Sequence, residues 1–118
     1  MFKTILLLKN NYLLVSTVIL FAITALSLTP LAHLPAAPGS DKAHHFIAYG
    51  ALFFPVALAR PKHWLWIALF FALWSGAIEL IQPYVNRYGE LLDMVANCTG
   101  LFCGYLMALI TNKAIKEC

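Results

Sequence analysis

The chain has 118 residues, room for one compact unit; 62% of them are hydrophobic and only 11% are charged. Soluble domains average about 45–50% apolar and about 25% charged, and a unit this small has too little interior to hide such a surface, so a soluble enzyme and a disordered chain are excluded. A net charge of +3 with scattered basic residues excludes a nucleic-acid binder as well.

In chain order, the apolar stretches predict an all-α fold: a four-helix transmembrane bundle forming one integral-membrane domain over residues 1–118. The mean hydropathy of +0.79 agrees. The first helix is expected over about residues 11–32, because Tyr12 to Leu31 carries no formal charge and about 20 apolar residues span a bilayer core of about 30 Å. That run is longer than the 7–15 residues of a signal-peptide core, and no Ala-x-Ala site follows it directly, so it reads as a retained span. Pro35, Pro38 and Gly39 form the first loop, and Ser40 or Asp41 is placed to cap the second helix, expected over residues 41–59. Its apolar run, Phe46 to Ala59, is only 14 residues, so it spans only by recruiting Asp41 to His45.

Arg60-Pro61-Lys62 makes a tight turn into the third helix, residues 63–82, which Pro83 ends. The fourth is expected over residues 90–111, with Asp93 and Asn97 inside it. Connections this short impose antiparallel neighbours. Lys3, Lys9, Arg60, Lys62, Lys113 and Lys116 fall on one side of this arrangement, and only Lys42 and Arg87 on the other. The positive-inside tendency then puts both termini in the cytoplasm (N-in/C-in) and the two longer loops outside. Trp64 and Trp66 fall at the inner interface, Tyr84 and Tyr88 at the outer. Cys98, Cys103 and Cys118 form no Cys-x-x-Cys pair and read as free thiols.

The strongly polar residues away from the cytoplasmic ends are Asp41, Lys42, His44, His45, Glu79, Gln82, Arg87, Glu90, Asp93 and Asn97. All fall in the outer third of the bilayer or in the outer loops, and ionisable groups at membrane depth usually face the bundle interior and mark function. At about 100° per residue, Asp93, Asn97, Gly100 and Gly104 share one stripe, as do Glu79, Ser75, Ala72 and Ala68. Asp41 and His45 stand one turn apart, with Ala48 and Leu52 continuing their stripe. Small residues let helices approach closely in lipid. The expected picture is a tight apolar stem, with Gly100 and Gly104 as its packing residues, under an outward-facing polar cup. His33 and His63 read as interfacial side chains.

The same residues carry a family pattern. Asp41-Lys42-Ala43-His44-His45-Phe46 resembles the Asp-Lys-x-x-His-Phe motif of the VanZ-like membrane proteins. Glu79-Leu80-Ile81-Gln82 is similar to their Glu-x-x-Gln, and Arg87, Asp93, Asn97 and Gly100 to their Arg-x5-Asp-x3-Asn-x2-Gly. The three motifs occur in the right order from the second helix to the fourth. The resemblance implies a role in the cell envelope at the outer membrane–water boundary and, at family level, a link to glycopeptide antibiotic resistance.

Three functions remain open on the residues. The first is binding of an envelope lipid headgroup or lipid-linked precursor by Asp41, Lys42, His45, Glu79, Gln82, Arg87, Asp93 and Asn97. Lys42 and Arg87 would contact phosphate or carboxylate, and the amides would add neutral hydrogen bonds. The second is a membrane enzyme acting on a phosphorylated lipid, with His45, Asp41 and Glu79 as catalytic candidates, although Ser40 and Ser75 lie in no nucleophile motif. The third is a structural scaffold or a dock for another membrane protein. The expected location is the inner (plasma) membrane, as a multi-pass protein. No cofactor and no metal is expected, since no ligand spacing announces one. The cup nevertheless holds four carboxylates (Asp41, Glu79, Glu90, Asp93) against two fixed cations (Lys42, Arg87). Its ligand is therefore expected to be zwitterionic or cationic, or else an anionic lipid accompanied by a divalent cation.

Overall fold

The computed structural model describes residues 2–29, 41–85 and 91–117, without the side chains of Phe2, Asp41, Lys42, Val85 and Glu117. The described residues are all-α: α1 (Phe2–Asn10), α2 (Tyr12–Ser27), α3 (Asp41–Ala59), α4 (Trp64–Ile81), a 3-10 turn (Gln82–Val85) and α5 (Leu91–Glu117). The second and third expected helices lie where the sequence puts them, within a residue or two. The fourth runs six residues further, because nothing between Thr111 and Glu117 breaks a helix. The first differs. Its apolar part is the 16-residue α2, and the lysine-bearing segment before it forms a separate helix bent from α2 by 80° at Asn11.

This changes the inventory of spans. Helices α4, with its 3-10 extension, and α5 are long and apolar enough to cross a membrane, and the α1–α2 pair makes a third if counted as one broken span. Helix α3, with Ala43–Ala59 among its described residues, is a shorter apolar helix not counted with these spans. It is instead the most enclosed element. Tyr49, Leu52, Phe53, Val56, Ala57 and Leu58 are all buried, and they supply most of the core together with Ile23, Phe71, Ile78, Leu101 and Ala108. A short apolar run commonly marks such a core helix.

The main seam joins α3 to α5. A Cβ added at Gly104 would stand 2.5 Å from the Gly50 carbonyl oxygen, and one added at Gly100 would strike the Phe46 carbonyl oxygen. The two backbones therefore touch, which only glycine permits. Pro55 sits inside α3, and with no N–H it leaves the Ala51 carbonyl without its helical donor. One residue on, the Leu52 carbonyl accepts a hydrogen bond from Ser16 Oγ at 3.0 Å, tying α2 to α3. Trp74 Nε1 donates to Thr24 Oγ1 at 2.9 Å and ties α4 to α2. Helix α3 ends at Arg60, in the left-handed region at φ 47°, and its guanidinium lies 5.5 Å from the centre of the Trp64 ring. Trp64 in turn stacks on Tyr105 at 4.9 Å.

The distribution of polarity is inverted relative to a water-soluble domain. Leu13, Phe21, Leu65, Trp66, Leu73, Leu80, Leu91 and Met107 are exposed, whereas Ser16, Ser27, Ser75, Glu79, Gln82, Asp93 and Asn97 are buried. Water would penalise that apolar exterior, and hydrocarbon would not. Polar groups can face inward because they bond to one another or to backbone.

Candidate functional site

The C-terminal end of α4 and the N-terminal ends of α3 and α5 meet, and the buried polar residues cluster there. His45 lies in the second turn of α3, Ser75 and Glu79 in the last turns of α4, and Asp93 and Asn97 in the first turns of α5. Asp93 suits its place, since a carboxylate in a first turn complements the positive end of the helix dipole.

Asn97 is the hub. It is 1% exposed. Its Nδ2 donates to Ser75 Oγ at 2.6 Å, and its Oδ1 stands 3.0 Å from His45 Nδ1. One amide thereby links the three helices. With Nδ2 committed to Ser75, Oδ1 is the acceptor, so His45 Nδ1 must carry the proton. In a neutral ring this leaves Nε2 as the nitrogen with the lone pair. Tyr49, one turn after His45 and buried, is also hydrogen-bonded to Ser75. Gln82 Nε2 donates to the Ser27 carbonyl at 3.1 Å and closes the cluster against α2.

Beside this chain of bonds, one ring nitrogen of His45 and one carboxylate oxygen each of Glu79 and Asp93 lie within 4.8 Å of one another. Two ionised carboxylates at that separation repel by about 3.5 kcal/mol at an effective dielectric of about 20. A proton or a bound cation at the cluster would offset this. Glu79 also lines a groove of about 540 Å³ between α4 and α5, whose other walls are Leu73, Gly76, Ala77, Leu80, Leu91 and Met94. The groove is apolar along its length and carries one carboxylate.

Of the residues singled out in the sequence, His45, Glu79, Asp93 and Asn97 come together, and Gln82 lies one turn beyond Glu79. Asp41 and Lys42 occupy the first turn of α3, with side chains outside the described set, and Arg87 and Glu90 lie outside the described residues. Gly100 and Gly104 line the seam below the cluster. Sequence reading passed over Tyr49 and gave Ser75 only a place on a stripe. Tyr49 continues the Asp41–His45 series at a further four residues, and that spacing was the signal available for it.

These helices and this cluster belong to a known family. The VanZ/LLP1 family model matches residues 2–112, nearly the entire chain, and the protein is a member of that family. No curated protein and no solved structure matches it.

Proposed function

We propose that this VanZ-like protein is a four-span, multi-pass protein of the inner membrane with both termini cytoplasmic, and that its polar cluster faces outward to bind the headgroup of an envelope lipid or lipid-linked precursor. Through that binding it affects cell-envelope integrity or glycopeptide tolerance. The observation that carries the reading is the inverted polarity: a connected set of buried polar side chains at one end of a bundle whose exterior is apolar. Membrane proteins seldom retain such groups without a use for them. The groove that reaches Glu79 supports the same reading, because its apolar walls suit a hydrocarbon tail lying below a headgroup. Lys42 and Arg87 are assigned to the headgroup's anionic oxygens, and Asp41 to orienting Lys42.

The test uses purified protein in detergent micelles, titrated with phosphatidylethanolamine, phosphatidylglycerol and a polyprenyl phosphate, each with and without EDTA, and read by native mass spectrometry. Saturable binding of one headgroup class is expected, lost in His45→Gln and Asp93→Asn while both variants fold. Binding that follows tail length and ignores headgroup refutes the proposal. Release of free phosphate from the lipid would favour an enzyme, and constant co-purification of another protein would favour a scaffold.

A further inference from the structure

We infer that His45, Glu79 and Asp93 form a binding site for one divalent first-row transition ion of the Mn²⁺ to Zn²⁺ group. One donor atom from each of the three residues lies within 4.8 Å of the others. Metal–ligand bonds of about 2.0–2.2 Å therefore require modest inward rotation of the side chains at most. The donor set is one imidazole and two carboxylates. Imidazole suits Zn²⁺ and Fe²⁺, and carboxylate suits Mn²⁺; Ca²⁺ and Mg²⁺ favour oxygen alone.

Two further observations separate this site from a chance meeting of charged groups. The first is how His45 is held. A ligating histidine almost always gives its second ring N–H to a fixed acceptor, which sets the tautomer and aims the other nitrogen. Asn97 Oδ1 is that acceptor at 3.0 Å, and its own amide is locked by Ser75 at 2.6 Å. Both of these supporting residues are fully enclosed. The second is access. The 540 Å³ groove between α4 and α5 shares Glu79 with the cluster, so one of the three donors borders open space. One turn past Glu79, the buried Gln82 carries a side-chain carbonyl oxygen with no hydrogen-bond partner among the described residues. The sequence shows no metal signature because the three ligands come from three different helices.

The site stands on side-chain geometry and does not depend on a lipid. Protein stripped with EDTA and purified in dodecyl maltoside is titrated with ZnCl₂ and, separately, MgCl₂ by isothermal calorimetry. One Zn²⁺ per chain is expected, with affinity at least tenfold above that for Mg²⁺. Glu79→Gln and Asp93→Asn should each abolish saturable binding, and Asn97→Ala, through loss of the fixed tautomer, should weaken it by about 10–100-fold. Electron spin-echo spectra of Cu²⁺-loaded wild-type protein need no variant to fold. They should show the remote nitrogen of a single imidazole, displaced by Zn²⁺. Zinc binding that is absent, or unchanged in the folded Glu79→Gln/Asp93→Asn double variant, overturns the assignment, as does coupling to several imidazoles. Lipid binding that persists in EDTA leaves the headgroup proposal standing whichever way the metal titration falls.

Discussion

Replacing Gly104 by alanine tests the α3–α5 seam with a single methyl group. The new Cβ would lie 2.5 Å from the Gly50 carbonyl oxygen and 3.2 Å from its Cα. Both are backbone atoms of a helix that is itself enclosed, so neither can swing aside. Restoring an ordinary contact of about 3.4 Å requires the two helices to part by roughly 0.9 Å at that point, and overpacking of this kind costs about 1–3 kcal/mol. The displacement also reaches the polar cluster. His45 and Asn97 sit on the same two helices at 3.0 Å, and a parting of that size carries them to roughly 3.9 Å, outside hydrogen-bonding range. Losing that bond adds about 1 kcal/mol, for a total of roughly 2–4 kcal/mol. Gly76→Ala is the internal control. Its Cβ meets only the end of Met94, at 3.2 Å from Cε, and a flexible thioether yields cheaply. That variant should stay within about 0.5 kcal/mol of wild type. Equilibrium unfolding in mixed micelles of dodecyl maltoside and SDS, followed by circular dichroism, measures both. Equal unfolding midpoints for Gly104→Ala and wild type, or an equal fall for Gly76→Ala, would refute the close backbone seam.

Asn97→Leu removes the His45 partner and one of the two partners of Ser75, which keeps Tyr49, and an orphaned buried group costs about 1–3 kcal/mol; the same unfolding assay should show a larger loss than for Thr99→Val, whose hydroxyl bonds its own helix at Val95. Trp74→Phe and Thr24→Val should each cost about 0.5–1.5 kcal/mol, and the double variant should cost less than their sum, because both remove the Trp74–Thr24 bond while Thr24→Val also removes the hydroxyl's bond to the Leu20 carbonyl. Gly100→Leu should leave no folded protein in detergent, read as loss of the monodisperse peak on gel filtration. Cysteines placed at Ala37 and Asn86 in a cysteine-free background should label with a membrane-impermeant maleimide from outside intact cells; labelling from the cytoplasmic side alone would reverse the proposed orientation.

Much of this architecture was legible in the sequence. The charge-free runs and their Pro and Gly breaks placed α3, α4 and α5, because hydrophobic length and helix-breaking chemistry are local properties. The Glu79–Gln82 and Asp93–Asn97–Gly100 spacings put those side chains on single helix faces, and helical periodicity alone does that. The bend at Asn11 was not legible. Lys3 and Lys9 precede the apolar run in a segment whose helicity competes only with solvation of its ends, and no Pro or Gly marks the break. Nor was the role of Tyr49 or Ser75. A tyrosine and a serine are ordinary on apolar helices, and Ser75 gains its partners Asn97 and Tyr49 only through the approach of helices more than twenty residues away in sequence. The meeting of His45, Glu79 and Asp93 is likewise a product of three-dimensional packing. The glycine stripe on α5 was visible, but its counterpart Gly50 was not, since a lone glycine in an apolar run has no periodic signature.

The enclosure of α3 has a consequence for how the chain is made. A nascent segment leaves the translocation machinery for lipid according to its own hydrophobicity, and α3, with its short apolar part and with Asp41, Lys42, His44 and His45 at its start, is a poor candidate on that measure. Its principal neighbour, α5, is synthesised after it. Until α5 emerges, α3 has nothing against which to lay Gly50, and His45 has no Asn97. The packing of the central helix is therefore completed only once α5 arrives. Burial of α3 is completed only by α5, and a ribosome halted before residue 91 would leave α3 without its main packing partner.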